Sequence, residues 1–158
     1  MPTIATCPIN IANPATREAS ATRIQTGASS HSCRQNTPLP TEWILEGNPV
    51  ARSLPLTRAN DGHLSSGLWE CQAGKFTFIF GYDEIVHILE GEVIVDEEGG
   101  TRMLRAGDVA FFPEGLVTQW TVPHYVKKMA VFRSVRHSIA TRVVRKLKRL
   151  FAKILSRG

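Results

Sequence analysis

Short β-type segments separated by turn residues constrain the fold of this chain more than any other feature. From Ser65 onward, runs rich in Val, Ile, Phe, Trp and Thr alternate with Gly, Pro and Asp every eight to twelve residues. That spacing is typical of an all-β sandwich or barrel, so the sequence predicts an all-β domain. The predicted strands are Leu64–Cys71, Phe76–Phe80, Glu84–Leu89, Glu92–Asp96, Thr101–Leu104, Val109–Phe112, Val117–Val122 and Lys127–Phe132.

Residues that favour turns fall between these predicted strands. Glycine tolerates positive φ and proline fixes a bend, which places turns at five points. They are Ala73-Gly74, Glu90-Gly91, Gly99-Gly100, Ala106-Gly107-Asp108 and Pro113-Glu114-Gly115. The sequence contains no glycine-rich phosphate loop of the GxGxxG or Walker type, so nucleotide-binding α/β folds are not supported.

The 158 residues suffice for one domain with flanking segments. Residues 1–42 are dominated by Thr, Ala, Ser, Pro and Asn, which predicts an irregular N-terminal extension. Residues 43–133 hold the β-type segments, and residues 134–158 form a basic tail. Residues 1–132 carry fourteen acidic and ten basic residues, and the other nine basic residues follow them. The net charge of +5 therefore belongs to the tail and not to the domain.

The tail has the pattern of an amphipathic helix. At 100° per residue, the apolar positions from Ile139 to Leu155 fall within an arc of about 160°, with Ser138 placed as an N-cap. A helix of about 26 Å is predicted. Such a helix fits an anionic membrane surface, an acidic partner groove or the acidic domain itself, whereas nucleic acid is not an expected partner. The basic face within residues 138–158 consists of Arg142, Arg145, Lys146, Lys148, Arg149 and Lys153.

The cysteine content indicates a reducing compartment. Cys7, Cys33 and Cys71 are an odd number without CxxC spacing, so neither a disulfide framework nor a cysteine zinc site is indicated. The first residues lack the pattern of a signal peptide, and no apolar run is long enough to span a bilayer. We therefore expect a cytoplasmic protein.

Two stretches together resemble the cupin superfamily of small jelly-roll barrels. Gly81–Val93 has a glutamate followed by an apolar strand and a Leu-x-Gly turn, and Gly107–Gly115 keeps the G-x5-P-x-G spacing. Leu68–Cys71 and Trp120–Pro123 are similar to one subgroup, named after the (S)-ureidoglycine aminohydrolase cupin domain and including ethanolamine-utilisation cupins. The resemblance implies a single cupin barrel over residues 43–133 and a homodimer.

The resemblance also implies where a metal would lie. Metal-binding cupins use H-x-H, then three or four residues, then a glutamate, and a further histidine later in the chain, ligands that suit iron, manganese, nickel or zinc. Glu84 matches the carboxylate, but the first two histidine positions hold Phe78 and Phe80, or Thr77 and Ile79. The last one holds Thr118. No cofactor is therefore predicted, and Glu84 is the expected ligand if a divalent metal binds.

The same comparison outlines a candidate pocket. Small barrels turn alternate side chains inward, which predicts an aromatic interior with few polar groups. Glu84 and Tyr82 are the candidate catalytic residues, as proton donor or acceptor toward a small polar metabolite. The predicted lining residues are Trp69, Cys71, Phe78, Phe80, Thr118 and Trp120.

Three hypotheses for the function follow from these residues. The first is a small-molecule-binding cupin, which includes the case of a metal-independent enzyme that uses Glu84 and Tyr82. The second is a metal-dependent, aminohydrolase-like enzyme in which Glu84 and other ligands such as Cys71 hold the ion. The third is a non-enzymatic binding module that the C-terminal helix directs to a membrane or an acidic partner.

Overall fold

A computed structural model describes residues 24–31, 33 and 35–134. Every strand pairing among them is antiparallel, and the helical structure in this part is one 3-10 turn at Thr41–Trp43. The prediction of an all-β domain is therefore confirmed for the described residues, whereas the predicted helix of the basic tail lies outside them. The strands are β1 (Gln35–Asn36), β2 (Ile44–Gly47), β3 (Ala51–Arg58), β4 (Leu64–Ile79), β5 (Asp83–Glu97), β6 (Gly100–Arg105), β7 (Val109–Phe112) and β8 (Val117–Arg133).

Three of these strands are longer than the sequence predicts. β4, β5 and β8 contain 16, 15 and 17 residues, and each joins two segments that were predicted to be separate. The predicted turns at Ala73-Gly74 and Glu90-Gly91 are wrong, because both places are irregularities within a continuous strand. A bulge inserts residues and bends a strand without ending its ladder. The predicted turns at Ala106–Asp108 and Pro113–Gly115 are confirmed.

The halves of β4, β5 and β8 form two parts of one eight-stranded sheet with the same central order, and we call these parts the two sheets. The first half of β4 pairs with β3 and with the second half of β8, which in turn pairs with the first half of β5 beside β7. The second half of β4 pairs with β2 and with the first half of β8, which pairs with the second half of β5 beside β6. Residues from both sheets therefore share one interior.

Gly91 lies where β5 passes from one sheet to the other. Its φ is +70°, and a Cβ at this position would collide with the carbonyl oxygen of Tyr125 on β8. Register shifts flank Gly91 on both sides, between Ile88 and Glu90 and again before Ile94. Only glycine meets both the dihedral and the steric requirement, so the bend depends on this residue.

Packing begins N-terminal to the predicted domain boundary at residue 43. β1 pairs with β3, and Cys33, Thr37 and Leu39 are buried. The hydroxyl groups of Thr37 and Ser53 are hydrogen-bonded at 2.6 Å, which satisfies both polar groups beneath the surface. Part of the segment predicted to be irregular therefore covers the edge of the sheet at β3.

Candidate functional site

Six aromatic side chains of the interior have their rings in contact with one another, and we call them the aromatic cluster. The rings contact one another closely: those of Phe80 and Phe112 stack with centroids 4.5 Å apart, and those of Phe78 and Trp120 with centroids 5.2 Å apart. Each of the six residues is at most 5% exposed, so the cluster is a packed core. Its members are Trp69, Phe76, Phe78, Phe80, Phe112 and Trp120.

A lysine lies inside this cluster. Lys128 alternates on β8 with Val126 and Ala130, which are also buried, so its side chain points inward. The residue is 0% exposed. Its Nζ donates a hydrogen bond to Oε1 of Glu84 over 2.6 Å. The interior of the barrel thus contains a buried ion pair.

The two partners approach each other along the interior and not across one strand pair. Lys128 is in register with Ile88 on β5, whereas Glu84 is four residues away on that strand and is in register with Phe132 and Phe112. Four residues of strand span about 13 Å, so both side chains must extend toward each other to meet. The ion pair therefore connects two positions of the interior, one beside Ile88 and the other beside Phe132.

Aromatic rings surround the ammonium group of Lys128. Nζ lies 4.9 Å from the ring centroids of Phe78 and Trp120. The centroids of Trp69 and Phe80 are 5.2 and 6.0 Å away. A cation within about 6 Å of a ring face is attracted by the ring quadrupole, and the attraction is larger where water is excluded. The carboxylate of Glu84 and the ring faces together stabilise a charge that would otherwise be costly to bury.

All six predicted lining residues occur in this interior, and each is at most 2% exposed. Thr118 is engaged locally, because its hydroxyl accepts a hydrogen bond of 3.0 Å from Nε1 of Trp120. The same hydroxyl donates to the carbonyl oxygen of Phe78 over 3.5 Å. The side chains expected to line a pocket therefore pack against one another and around Lys128.

The residues at the metal-ligand positions do not fit a metal ion. The first two histidine positions correspond either to Phe78 and Phe80 or to Thr77 and Ile79. Phe78 and Phe80 point inward, whereas Thr77 and Ile79 are only partly buried. The carboxylate of Glu84 is bound by an ammonium group, and the Thr118 hydroxyl is bound to an indole. Phenyl rings donate no lone pair, and one carboxylate holds a transition metal poorly. Within residues 24–31, 33 and 35–134, no cluster of three or more His, Cys, Asp or Glu could hold an ion.

Cys71, the other candidate ligand, is a buried thiol. It is 0% exposed, and burial raises its pKa to about 12 although the charge of Lys128 acts in the opposite direction. A thiol with so high a pKa is protonated at neutral pH and is a poor nucleophile and ligand. Cys71 therefore has the properties of a small core residue.

Tyr82 lies in a different environment from Glu84. It is half-buried and lines a cleft of about 60 Å³, which we call the Tyr82 cleft. Arg58, His63, Ser65, Phe132 and Ser134 also line this cleft. The structure thus brings Glu84 to Lys128 and Tyr82 to a surface cleft, and their predicted joint role in catalysis stays a prediction.

Lys128 is not among the site residues predicted from the sequence. A local signal was available, because period-2 alternation places Lys128 on the same face as Val126, Ala130 and Phe132. Lysine is mostly exposed in proteins, so this alternation alone is a weak indication of burial.

The neighbouring Lys127 belongs to a second, outward-facing group of ionisable side chains. Its Nζ donates to Oε1 of Glu90 over 3.1 Å, and the hydroxyl of Tyr125 donates to Oε2 of Glu70 over 3.1 Å. Burial, followed by the charge of Glu70, raises the pKa of Cys33 to about 11. The same two causes raise the pKa of Tyr125 above its ordinary range. This group anchors the segment around Cys33 on the outer face of the sheet.

Solved structures resemble this fold. A DUF861-family protein of Pseudomonas syringae pv. tomato matches 66% of this chain and 45% of its own with a TM-score of 0.61 at 22% identity. The EutQ protein of Clostridium difficile matches 56% of this chain and 71% of its own with a TM-score of 0.50 at 23% identity. At these identities the likeness defines the fold. Together with the antiparallel strand pairing described above, it defines an all-β barrel fold.

The sequence identifies the family within this class. Residues 58–130 match the model of the EutQ-like cupin domain. The ethanolamine utilisation protein EutQ of Salmonella typhimurium LT2, known as a crystal structure, is 32% identical over 53% of this chain and 69% of its own, with a TM-score of 0.48. The chain belongs to the EutQ-like cupins. The predicted cupin resemblance and its ethanolamine-utilisation subgroup are thereby confirmed.

Curated relatives are considerably longer than the region they share with this chain. A protein of Salmonella typhimurium and one of Escherichia coli K12, both named acetate kinase EutQ, are 33% and 35% identical over 76 and 77 residues. The chain spans about a third of the length of each of these relatives. Within the part of this chain that the structure describes, no helix is both long and apolar enough to cross a membrane.

Proposed function

We propose that this chain is a metal-independent cupin domain that binds the anionic group of a small polar metabolite in the Tyr82 cleft. The observation that carries the proposal is the chemistry of the cleft lining. Arg58 contributes a guanidinium group, His63 an imidazole, and Ser65 and Tyr82 hydroxyl groups. Positive charge and hydrogen-bond donors that converge in one concave site suit a carboxylate or a phosphate.

The size and position of the cleft support the same ligand class. Its volume of about 60 Å³ accommodates one small polar group but not a large aromatic ligand. Ser65 and Phe132, which line the cleft, are in register with each other, and Phe132 is in register with Glu84. Paired residues of an antiparallel sheet share a face, so the inner wall of the cleft continues toward the Glu84–Lys128 pair. This arrangement supports binding beside the buried ion pair.

Titration calorimetry tests this proposal. Sodium acetate, glycolate and phosphate would be titrated into the full chain in buffer with EDTA, because no metal should be needed. Removing one charge-assisted hydrogen bond costs roughly 1.5–3 kcal/mol, so Arg58→Gln should weaken the preferred anion by about tenfold or more. Tyr82→Phe should weaken it less, because only a neutral donor is lost.

Val117→Ala is a matched control, because Val117 is 55% exposed on β8 and does not line the cleft. Its affinity should equal that of the unmodified chain. Equal affinities for Arg58→Gln and the control would contradict the site, and binding that disappears with EDTA would favour the metal-dependent aminohydrolase hypothesis. The donor chemistry around Glu84 speaks against that second hypothesis.

We also propose that a second copy of the chain covers one face of the sheet. Ile85, Phe111 and Val109 are 49%, 58% and 66% exposed. Ile85 and Phe111 are in register on β5 and β7, and the partly buried Val131 extends this face on β8. Exposed apolar patches of this kind mark contact sites, and the family resemblance implies a homodimer.

Light scattering of the full chain tests this partner. The Phe111→Glu variant should be a monomer, because it places a charge in the apolar patch. The control Met103→Glu, which changes an exposed residue of β6 outside the patch, should remain a dimer. Equal masses for both variants would contradict the dimer face. The alternative hypothesis, a module that residues 138–158 direct to a membrane, makes a different prediction. The chain should then bind to vesicles that contain anionic lipid, whether it is a monomer or a dimer.

A further inference from the structure

We infer that the interior of the barrel is a binding site for a primary ammonium ion, and that Lys128 fills this site from within the same chain. A carboxylate and several ring faces converge on one point, which is the chemistry that recognises an organic cation. Lys128 Nζ occupies that point, 2.6 Å from Oε1 of Glu84 and 4.9 Å from the centroids of Phe78 and Trp120.

The same point is the one that the cupin resemblance assigns to a metal. Phe78, Phe80 and Thr118 hold the three histidine positions, and Glu84 holds the carboxylate position. Phe78 and Phe80 present rings to the ammonium group instead of imidazole nitrogens. Where the resemblance places nitrogen and oxygen ligands for a divalent metal, this chain has ring faces and one carboxylate around a singly charged cation.

The burial of both charged groups supports this inference. Lys128 and Glu84 are 0% and 5% exposed at their side chains, so water contributes little to neutralising either charge. No buried side-chain nitrogen or oxygen of the described residues lacks a hydrogen-bond partner. Lys128 Nζ has one hydrogen bond, to the counter-charge of Glu84, and ring faces around it, and these contacts compensate the burial of its charge.

Chemical rescue tests the inference. Lys128→Ala in the full chain removes three carbons and the ammonium group, which together correspond to n-propylammonium. The variant should melt well below the unmodified chain. n-Propylammonium chloride should restore part of the loss, rising with the logarithm of its concentration and reaching about 4 °C at ten times its Kd. Sodium chloride of equal ionic strength and 1-propanol should not reproduce the effect, since one lacks the apolar stem and the other the charge.

Two controls connect the rescue to this site. The double variant Glu84→Gln/Lys128→Ala should gain little from n-propylammonium, because the carboxylate that holds the cation is gone. Manganese or zinc chloride should leave the melting temperature of the unmodified chain unchanged and should bind without defined stoichiometry. A stoichiometric ion bound through Glu84, equal rescue by 1-propanol or undiminished rescue of the double variant would overturn the inference.

If Lys128→Ala does not fold on expression, refolding from urea provides the readout. The yield of folded chain should rise with n-propylammonium and not with 1-propanol, and equal yields would overturn the inference. This outcome is independent of the Tyr82 cleft, which is tested with anions and other variants.

Discussion

Lys127 and Lys128 are consecutive residues of β8, yet they form two different kinds of ion pair. Lys128 points into the barrel, and its side chain and that of Glu84 are 0% and 5% exposed. Lys127 points outward, and although its own side chain is 6% exposed, its partner Glu90 is 57% exposed. Water can therefore solvate Glu90 in the outer pair, whereas it reaches neither charged group of the inner pair.

The comparison shows how much one step along a strand changes the role of a residue. Successive side chains alternate between the two faces, so the same residue type is placed once among rings and once near solvent. The register shift of β5 between Ile88 and Glu90 places Glu90 opposite Lys127, whereas Glu84 reaches Lys128 along the interior. The predictions below test this difference between the inner and the outer pair.

The largest effect is expected for Lys128→Met, which keeps the apolar stem but removes the charge. Glu84 would then be a buried carboxylate without a cation, and breaking a buried pair in this way costs about 3–5 kcal/mol. Urea unfolding of the full chain, followed by tryptophan fluorescence, measures the loss. A loss below about 1 kcal/mol would show that the inner pair is no stronger than a surface pair.

A smaller effect is expected when both charges are removed together. Glu84→Gln/Lys128→Met leaves no unpaired charge, so it should cost less than the sum of the two single variants, with a coupling of roughly 1–3 kcal/mol. The four unfolding free energies of the double-mutant cycle measure this coupling. Additive losses would mean that Lys128 and Glu84 are stabilised independently, Lys128 by the rings and Glu84 by other groups.

These two residues also show what the sequence could predict. Glu84 was identified because a motif gives its position and alternation places it inside, and the strands were identified because their apolar residues recur with period two. Lys128 was not identified, because its burial depends on the rings of β4, Phe80 and β8 that only the folded chain brings together. For the same reason Ala73-Gly74 and Glu90-Gly91 were predicted to be turns. At a bulge the strand continues to pair with its neighbour, whereas at a turn the pairing ends, and the local sequence does not show the neighbouring strand.

Alkaline pH distinguishes the two faces more weakly. The pKa of Cys71, on the inner face, is raised from 9.0 to about 12, and that of Cys33, below the outer group, from 9.0 to about 11. The unfolded chain loses these protons first, so stability should fall as pH rises above about 9, by at most roughly 1.4 kcal/mol per pH unit for one group. Tyr125, whose pKa is also raised, adds to the loss at higher pH.

Cysteine variants assign this alkaline loss. Cys71→Ala should flatten the pH dependence between about 9 and about 12, and Cys33→Ala only up to about 11. Unfolding free energies measured across this pH range, each relative to the value of the same variant at pH 8, separate the slope from the cost of the substitution itself. Unchanged slopes in both variants would show that neither thiol titrates differently in the folded and unfolded chain.

The smallest effect is expected for Lys127→Met, the outer counterpart of Lys128→Met. Glu90 is 57% exposed and regains water when the lysine charge is lost, so the change should cost at most about 1 kcal/mol. The effect should shrink further in 0.5 M sodium chloride, because salt screens exposed charges, whereas the loss in Lys128→Met should be nearly independent of salt. Urea unfolding at low and high salt compares the two variants directly. Equal losses with equal salt dependence would mean that exposure of the carboxylate does not determine what each lysine contributes.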